Sequence, residues 1–259
     1  MVNLANDNPI VDPSKHKTGD KKSNKKSGRV KDKSGDERKL PDSDELLRHL
    51  QNTKKLAQKI TGMHPSSLGL HPAVYFYSAS GRHQPTAVLS ICSIVKDLAE
   101  SGKLNEFCDA RAEFEDFLLS NKDLINQITR KTGSMAKGYA LLKAYFRLVL
   151  VGKMDGKTDQ QVTDDLNRSE KFSFLKISGT LKETNSKEFS SGAKQHAFLS
   201  EALKSSFNCK ICGARKYSKS MTADHVVDKK DGGLGTSSNL QYVHPYCNSA
   251  YKDYKERRK

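Results

Sequence analysis

No apolar stretch in these 259 residues is long enough to cross a bilayer, and the best candidate, Leu141 to Val151, is interrupted by Lys143 and Arg147. The N-terminus lacks the apolar region of a signal peptide, so a membrane partner is not expected and the expected location is cytoplasmic. Cysteine is scarce as well. Five residues, an odd number, argue against a disulfide framework. Acidic side chains are outnumbered 30 to 45 by Lys and Arg, and the resulting charge of +15 favours a polyanionic partner, for which nucleic acid is the usual choice.

What is present falls into segments. Residues 1–40 are dominated by Lys, Asp, Ser, Asn and Gly, which cannot bury enough surface to offset ordering entropy, so they read as a disordered basic tail. Residues 41–177 read as a helical domain. Its first helix starts near Ser43, with Leu46, Leu47, Leu50, Ala57 and Ile60 on one face. Ala73 to Ser78 is a strand or a helix start, and Pro85 opens a helix to Glu100. Apolar spacing continues through Phe107–Ile128 with a break at Ser120-Asn121, and further helices are expected at 135–151 and 159–167. His64, His71 and His83 lack ligand spacing and suit turns or caps, while Cys92 and Cys108 suit the core. Residues 178–192 read as a polar linker, and a helix at 193–205 opens the last segment, 193–259.

That last segment carries the chemistry. Cys209 and Cys212 have two residues between them, and so do His244 and Cys247, a Cys3His set suited to structural Zn²⁺. In so short a segment, zinc would supply stability that a small core cannot. Between the pairs, Met221 to Val227 reads as a strand and Asn239 to Val243 as its partner, with a helix following Pro245. Asp224 offers an oxygen ligand for Mg²⁺ or Mn²⁺, and His225 can accept a proton from water near neutral pH. Neighbours on a strand face opposite ways, so these two can serve one site only near a strand end or a distortion. Lys229, Lys230, Arg257, Arg258 and Lys259 flank the motif and suit phosphate neutralisation.

The order Cys-x-x-Cys, Asp-His, Gly-Gly, Asn-Leu-Gln, x-x-x-Cys-Asn resembles the zinc-containing branch of the HNH (ββα-metal) endonucleases over about residues 205–256. The resemblance implies an α+β chain: a mostly helical N-terminal domain and a C-terminal treble-clef-like ββα-metal unit. It implies His225 as general base, Asn239 as the residue that orients the imidazole, Asp224 and Asn248 as ligands of the catalytic ion, and Cys209, Cys212, His244 and Cys247 as ligands of zinc. His244 stands where cysteine is commoner, and Asn248 where many members have a final His. The implied reaction is phosphodiester hydrolysis in DNA. The alternative is a non-catalytic zinc-dependent nucleic-acid-binding module, which would not require the Asp-His pair and both asparagines. The stretch Ser67 to Ser78, with Gly81 to Pro85, resembles the region before the HNH unit in restriction-type proteins that carry a ParB-like domain, as in GmrSD-like systems. That likeness implies restriction or phage defence. No Gly-x-x-x-x-Gly-Lys-Ser/Thr loop is present, so nucleotide hydrolysis is not expected of this chain: either it works alone, or a separate sensor or nucleotide-hydrolysing protein supplies that part. A homodimer is the simple route to cutting both strands.

Overall fold

The computed structural model describes residues 1–10, 42–79, 81–133, 135–177 and 206–258, with residues 188, 189, 194, 197, 199, 201 and 203 described singly. The expected linker at 178–192, the helix expected at 193–205, Lys259 and most of the basic tail lie wholly or largely outside these residues. The chain divides into two compact units, Met1–Lys55 and Leu56–Lys259.

In the first unit, the start of the tail departs from the expectation of disorder. Val2–Ala5 form a short helix, α1, with Leu4 and Ala5 buried. The Asn6 amide donates to the His49 carbonyl at 3.2 Å and accepts from Asn52 at 2.9 Å, which is how a polar segment finds partners in its own unit. Helix α2 (Ser43–Ile60) begins where the Asp42 carboxylate accepts the Glu45 N–H at 2.7 Å, a side-chain cap for an otherwise orphaned donor. Leu46, Leu47 and Leu50 are 49%, 56% and 51% exposed, while Leu56 and Ile60, which belong to the larger unit, are buried.

The larger unit is helical for most of its length. After α3 (Pro72–Tyr75) come α4 (Pro85–Glu100), α5 (Leu104–Ser120), α6 (Asp123–Thr132), α7 (Met135–Met154) and α8 (Asp159–Arg168). Pro85 occupies the first turn of α4, where its missing N–H costs nothing. Thr158 and Gln161 exchange bonds in a capping box that starts α8. Helix α7 packs against α4, α5, α6 and α8, placing Leu142, Tyr145, Phe146 and Val149 in a core shared with Ile91, Val95, Phe114 and Phe117. The aromatic run at 75–77 resolves into the end of α3 and an isolated bridge between Tyr77 and His83, and Tyr75 is fully buried.

The C-terminal part holds a two-stranded antiparallel sheet, β1 (Thr222–His225) and β2 (Leu240–Val243), paired Thr222 to Val243 through His225 to Leu240. A π-helical turn, Cys247–Tyr251, then runs into α9 (Lys252–Glu256). This part is seated on α5 and the loop before α3. Tyr246 and Tyr251 donate from their hydroxyls to Asn105 and Asp109 at 2.8 and 2.7 Å, and the Ser220 hydroxyl donates to the Gly62 carbonyl at 2.6 Å. Gly69 lets the loop approach so closely. It has φ +59°, and a Cβ there would lie 2.8 Å from the His244 ring and 2.9 Å from the Ser220 hydroxyl.

Candidate metal centre and active site

The first pair of soft ligands sits in a tight turn. The Cys209 N–H donates to the Ala214 carbonyl, and the Gly213 N–H donates to the Cys209 carbonyl, each at 2.8 Å. The second pair follows β2 directly, with His244 leaving the strand and Cys247 opening the π turn. Tertiary folding brings Cys209, Cys212, His244 and Cys247 together, all buried, with ligand atoms within 4.8 Å of one another. Among the described residues no other group of three or more His, Cys, Asp or Glu gathers this way.

The donor chemistry fits a tetrahedral structural zinc ion. His244 turns Nδ1 toward Cys212 Sγ at 3.4 Å and Cys247 Sγ at 3.8 Å, while its Nε2–H donates to the Arg215 carbonyl at 3.1 Å. Such an outer partner fixes the tautomer of a metal-ligating histidine. Burial lowers the His244 pKa, which favours the neutral, ligating imidazole. The thiols share their protons: hydrogen bonds from Cys212 and Cys247 push Cys209 down toward the thiolate, and the bond to Cys209 pushes Cys212 up.

A buried ion pair backs this centre. Arg111 and Glu115 on α5 are both fully buried, with Nε donating to Oε1 at 2.8 Å. Arg111 also donates to the carbonyls of Leu68 and Gly69 at 2.5 and 3.2 Å, and its Nη1 lies 3.5 Å from His244 Nδ1. Glu115 additionally accepts from the Tyr75 hydroxyl at 3.0 Å and the Arg215 N–H at 2.8 Å. One carboxylate thus joins α3, α5 and the cysteine turn, and it compensates a guanidinium that would otherwise be a costly buried charge.

The harder donors lie at the other end of the sheet. Asp224 is buried at 8% exposure, and its carboxylate accepts from Gln241 Nε2, its cross-strand partner, at 2.9 Å. His225 is the last residue of β1, half-buried, the strand-end position that allows adjacent side chains to serve one place. Lys252, the first residue of α9, reaches back to this end. Its ammonium donates to Asp224 at 3.3 and 3.4 Å, to the His225 carbonyl at 3.3 Å, and to Asp228. Burial works against the Lys252 charge, but the Asp228 bond and the Asp224 charge outweigh it, so its pKa is raised. The bond to Lys252 likewise lowers the Asp228 pKa.

Asn239 does not use its amide on the His225 ring. Its oxygen accepts the Val227 N–H at 2.7 Å, and its nitrogen donates to the carbonyls of Val227 and Leu234 at 3.1 and 2.8 Å. It therefore closes the 226–239 connection immediately after His225. Gly233 is required in that closure, because a Cβ there would lie 1.7 Å from the Val227 carbonyl oxygen. Asn248, half-buried in the π turn, makes no side-chain hydrogen bond among the described residues and has its amide free for a ligand.

The flanking basic residues differ from one another. Lys229, Lys230 and Arg257 are exposed, whereas Arg258 pairs with Asp109 at 3.0 Å and stacks over Tyr254. Sequence reasoning missed Asp228, Gln241, Lys252, Arg111 and Glu115. A signal existed for two of them: Asp228 follows Asp224 by four residues, and Lys252 follows Asn248 by four on an expected helix. The buried pair gave none beyond an i,i+4 spacing that ordinarily marks a solvated helix face.

Residues 209–253 match the family model described as HNH endonuclease. No curated protein and no solved structure matches the chain significantly. The matched segment contains all four gathered soft ligands together with Asp224, His225, Asn239, Asn248 and Lys252, and it implies nuclease-type chemistry on DNA.

Proposed function

We propose that the C-terminal part of this chain is a metal-dependent HNH endonuclease that hydrolyses phosphodiester bonds in DNA. The observation that carries this reading is the placement of Asp224 and His225 at the end of β1, inside the matched segment, with the buried carboxylate tied to the helical stretch that follows the last soft ligand. A zinc finger needs only the four gathered ligands. The Asp-His pair and the two asparagines lie outside that set and serve the reaction.

In this reading Cys209, Cys212, His244 and Cys247 hold structural zinc in a treble-clef-like unit. Asp224 and Asn248 would hold Mg²⁺ or Mn²⁺, the donor types such a hard cation prefers. When bound, that ion would offset charge developing on the phosphate and on the departing sugar oxygen. His225 takes a proton from the attacking water, and its strand-end position leaves the imidazole accessible to it. Asn239 acts on His225 through the backbone, pinning Val227 and thereby the direction in which the chain leaves β1. Lys229, Lys230 and Arg257 contact phosphates along the substrate, with Arg258 joining them if it releases Asp109. The resemblance of residues 67–85 to restriction-type proteins supports a setting in restriction or phage defence, with a separate sensor polypeptide and a homodimer for cutting both strands.

The test is nicking of supercoiled plasmid by zinc-loaded protein with Mg²⁺ or Mn²⁺, beside His225→Ala of equal zinc content. Loss of activity by a factor of about 100 or more in the variant is expected for a general base. Equal nicking by both proteins would remove His225 from the reaction, and salt-sensitive binding without any nicking would favour a non-catalytic nucleic-acid binder.

A further inference from the structure

Lys252 stands where a cation is wanted. Its side chain is only 17% exposed, and its ammonium faces four oxygens at once: both of Asp224, one of Asp228, and the backbone carbonyl of His225. Two of those groups are carboxylates, and one of them, Asp224, is the buried carboxylate assigned above to the divalent ion. The route by which Lys252 arrives is unusual. The turn between Cys247 and Lys252 is π-helical, with the Lys252 N–H bonded to the Cys247 carbonyl five residues back. That extra residue in the turn changes the azimuth at which α9 begins relative to the soft-ligand cysteine, and π turns of this kind concentrate at functional sites.

From this geometry we infer that Lys252 sets the affinity of the divalent-ion site, because a metal ion gains the Asp224 carboxylate only against the charge of the resident ammonium. The inference rests on the nuclease reading above and deepens it. Asp228 is the second anchor. When Asp224 turns its negative charge to a divalent ion, Lys252 keeps Asp228 and the His225 carbonyl, so the ammonium remains close by and repels the incoming cation. The same contacts hold the backbone of His225 in place whether or not the metal is bound. Lys252 is thus a positioning residue that balances the site's charge, trading affinity for an ordered metal-free state. Gln241 holds the other side of Asp224 and carries no charge, so it adds order without this repulsion.

The experiment is Mn²⁺ binding to the zinc-loaded full chain without DNA, followed by titration calorimetry or by the loss of the free-ion paramagnetic resonance signal. Wild type is compared with Lys252→Met, Lys252→Arg and Asp224→Asn, each checked for equal zinc content. Removing one positive charge so near a ligand carboxylate should tighten Mn²⁺ binding roughly tenfold or more. Lys252→Arg, which keeps the charge, should stay near wild type, a split that loss of a merely structural contact would not produce. Asp224→Asn should abolish the binding. If Lys252→Met fails to retain zinc, Lys252→Gln carries the same expectation, since it keeps a donor without the charge. Binding that depends on Asp224 but is unchanged or weaker in Lys252→Met and Lys252→Gln overturns the inference and leaves the nuclease reading standing. Absence of Asp224-dependent binding in every protein overturns both.

Discussion

Replacing Glu115 by Gln should destabilise the larger unit far more than one lost charge on a helix surface would. At the surface an i,i+4 pair contributes about 0.3–0.5 kcal/mol. Here both members are fully buried, and the Glu115 oxygens serve three donors, from Arg111, Tyr75 and Arg215. Gln retains one acceptor oxygen, but its amide nitrogen would face the Arg215 N–H as donor against donor, and Arg111 would keep an uncompensated charge. Breaking a buried pair by removing one partner costs about 3–5 kcal/mol, and the retained acceptor places this variant near the lower figure, about 3 kcal/mol. In a unit of this size that corresponds to a fall in Tm of about 6–12 °C. Thermal and urea unfolding of zinc-loaded wild type, Glu115→Gln, Arg111→Met and the double variant would measure it. The double variant should cost clearly less than the sum of the singles, because neither charge is then left alone. A Glu115→Gln cost below about 1 kcal/mol, or strict additivity in the cycle, would refute the account of this pair as a coupled bridge to the metal centre.

Removal of zinc with a chelator that spares Mg²⁺ should cooperatively unfold residues 206–258, read as loss of amide-exchange protection at β1 and β2. Their apolar core among the described residues is little more than Ala214, Val243 and Tyr251 beside the ligands themselves. Gly69→Ala should cost on the order of 2 kcal/mol and weaken zinc retention in a competition with a chromogenic chelator, because its Cβ would press on His244 in a conformation with positive φ. Lys122 provides a pH test. Its ammonium, donating to the Val74 and Tyr77 carbonyls with no acidic partner among the described residues, has a pKa lowered by burial to about 7. The unfolded chain therefore holds a proton that the folded chain gives up between pH 7 and the ordinary lysine value, and stability from this group rises across that window. Urea midpoints should show that rise, of a few kcal/mol at most, flattened in Lys122→Met.

The helical elements were legible because their signals are local. Pro85 at a helix start, the break at Ser120-Asn121 and the start of α2 at Ser43 depend on neighbours within a turn. The exposure of one side of α2 was not legible for the complementary reason: periodicity shows that Leu46, Leu47 and Leu50 share a side, not whether anything covers it. Asn239 illustrates the same limit inside the site. Its place in the motif was visible, yet its bonds to Val227 and Leu234 depend on how an eleven-residue connection folds back (228–238), which no spacing specifies.

By itself the sequence determined the ligand chemistry: two pairs of soft donors at metal spacing and an Asp-His dipeptide between them, whereas the end of β1 at His225, short of the expected Val227, was visible only in the structure. Residue type and short spacing suffice for the ligand chemistry, because ligand preference is a property of a few adjacent residues. Only the tertiary structure decided that Arg111 and Glu115, some 130 residues upstream of His244, back the soft-metal centre, that Gly69 must lack a side chain, and that Lys252 rather than open solvent faces Asp224. These are contacts between segments far apart in the chain, set by how the C-terminal part seats on α5 and by one extra residue in a helical turn, and no local pattern encodes either.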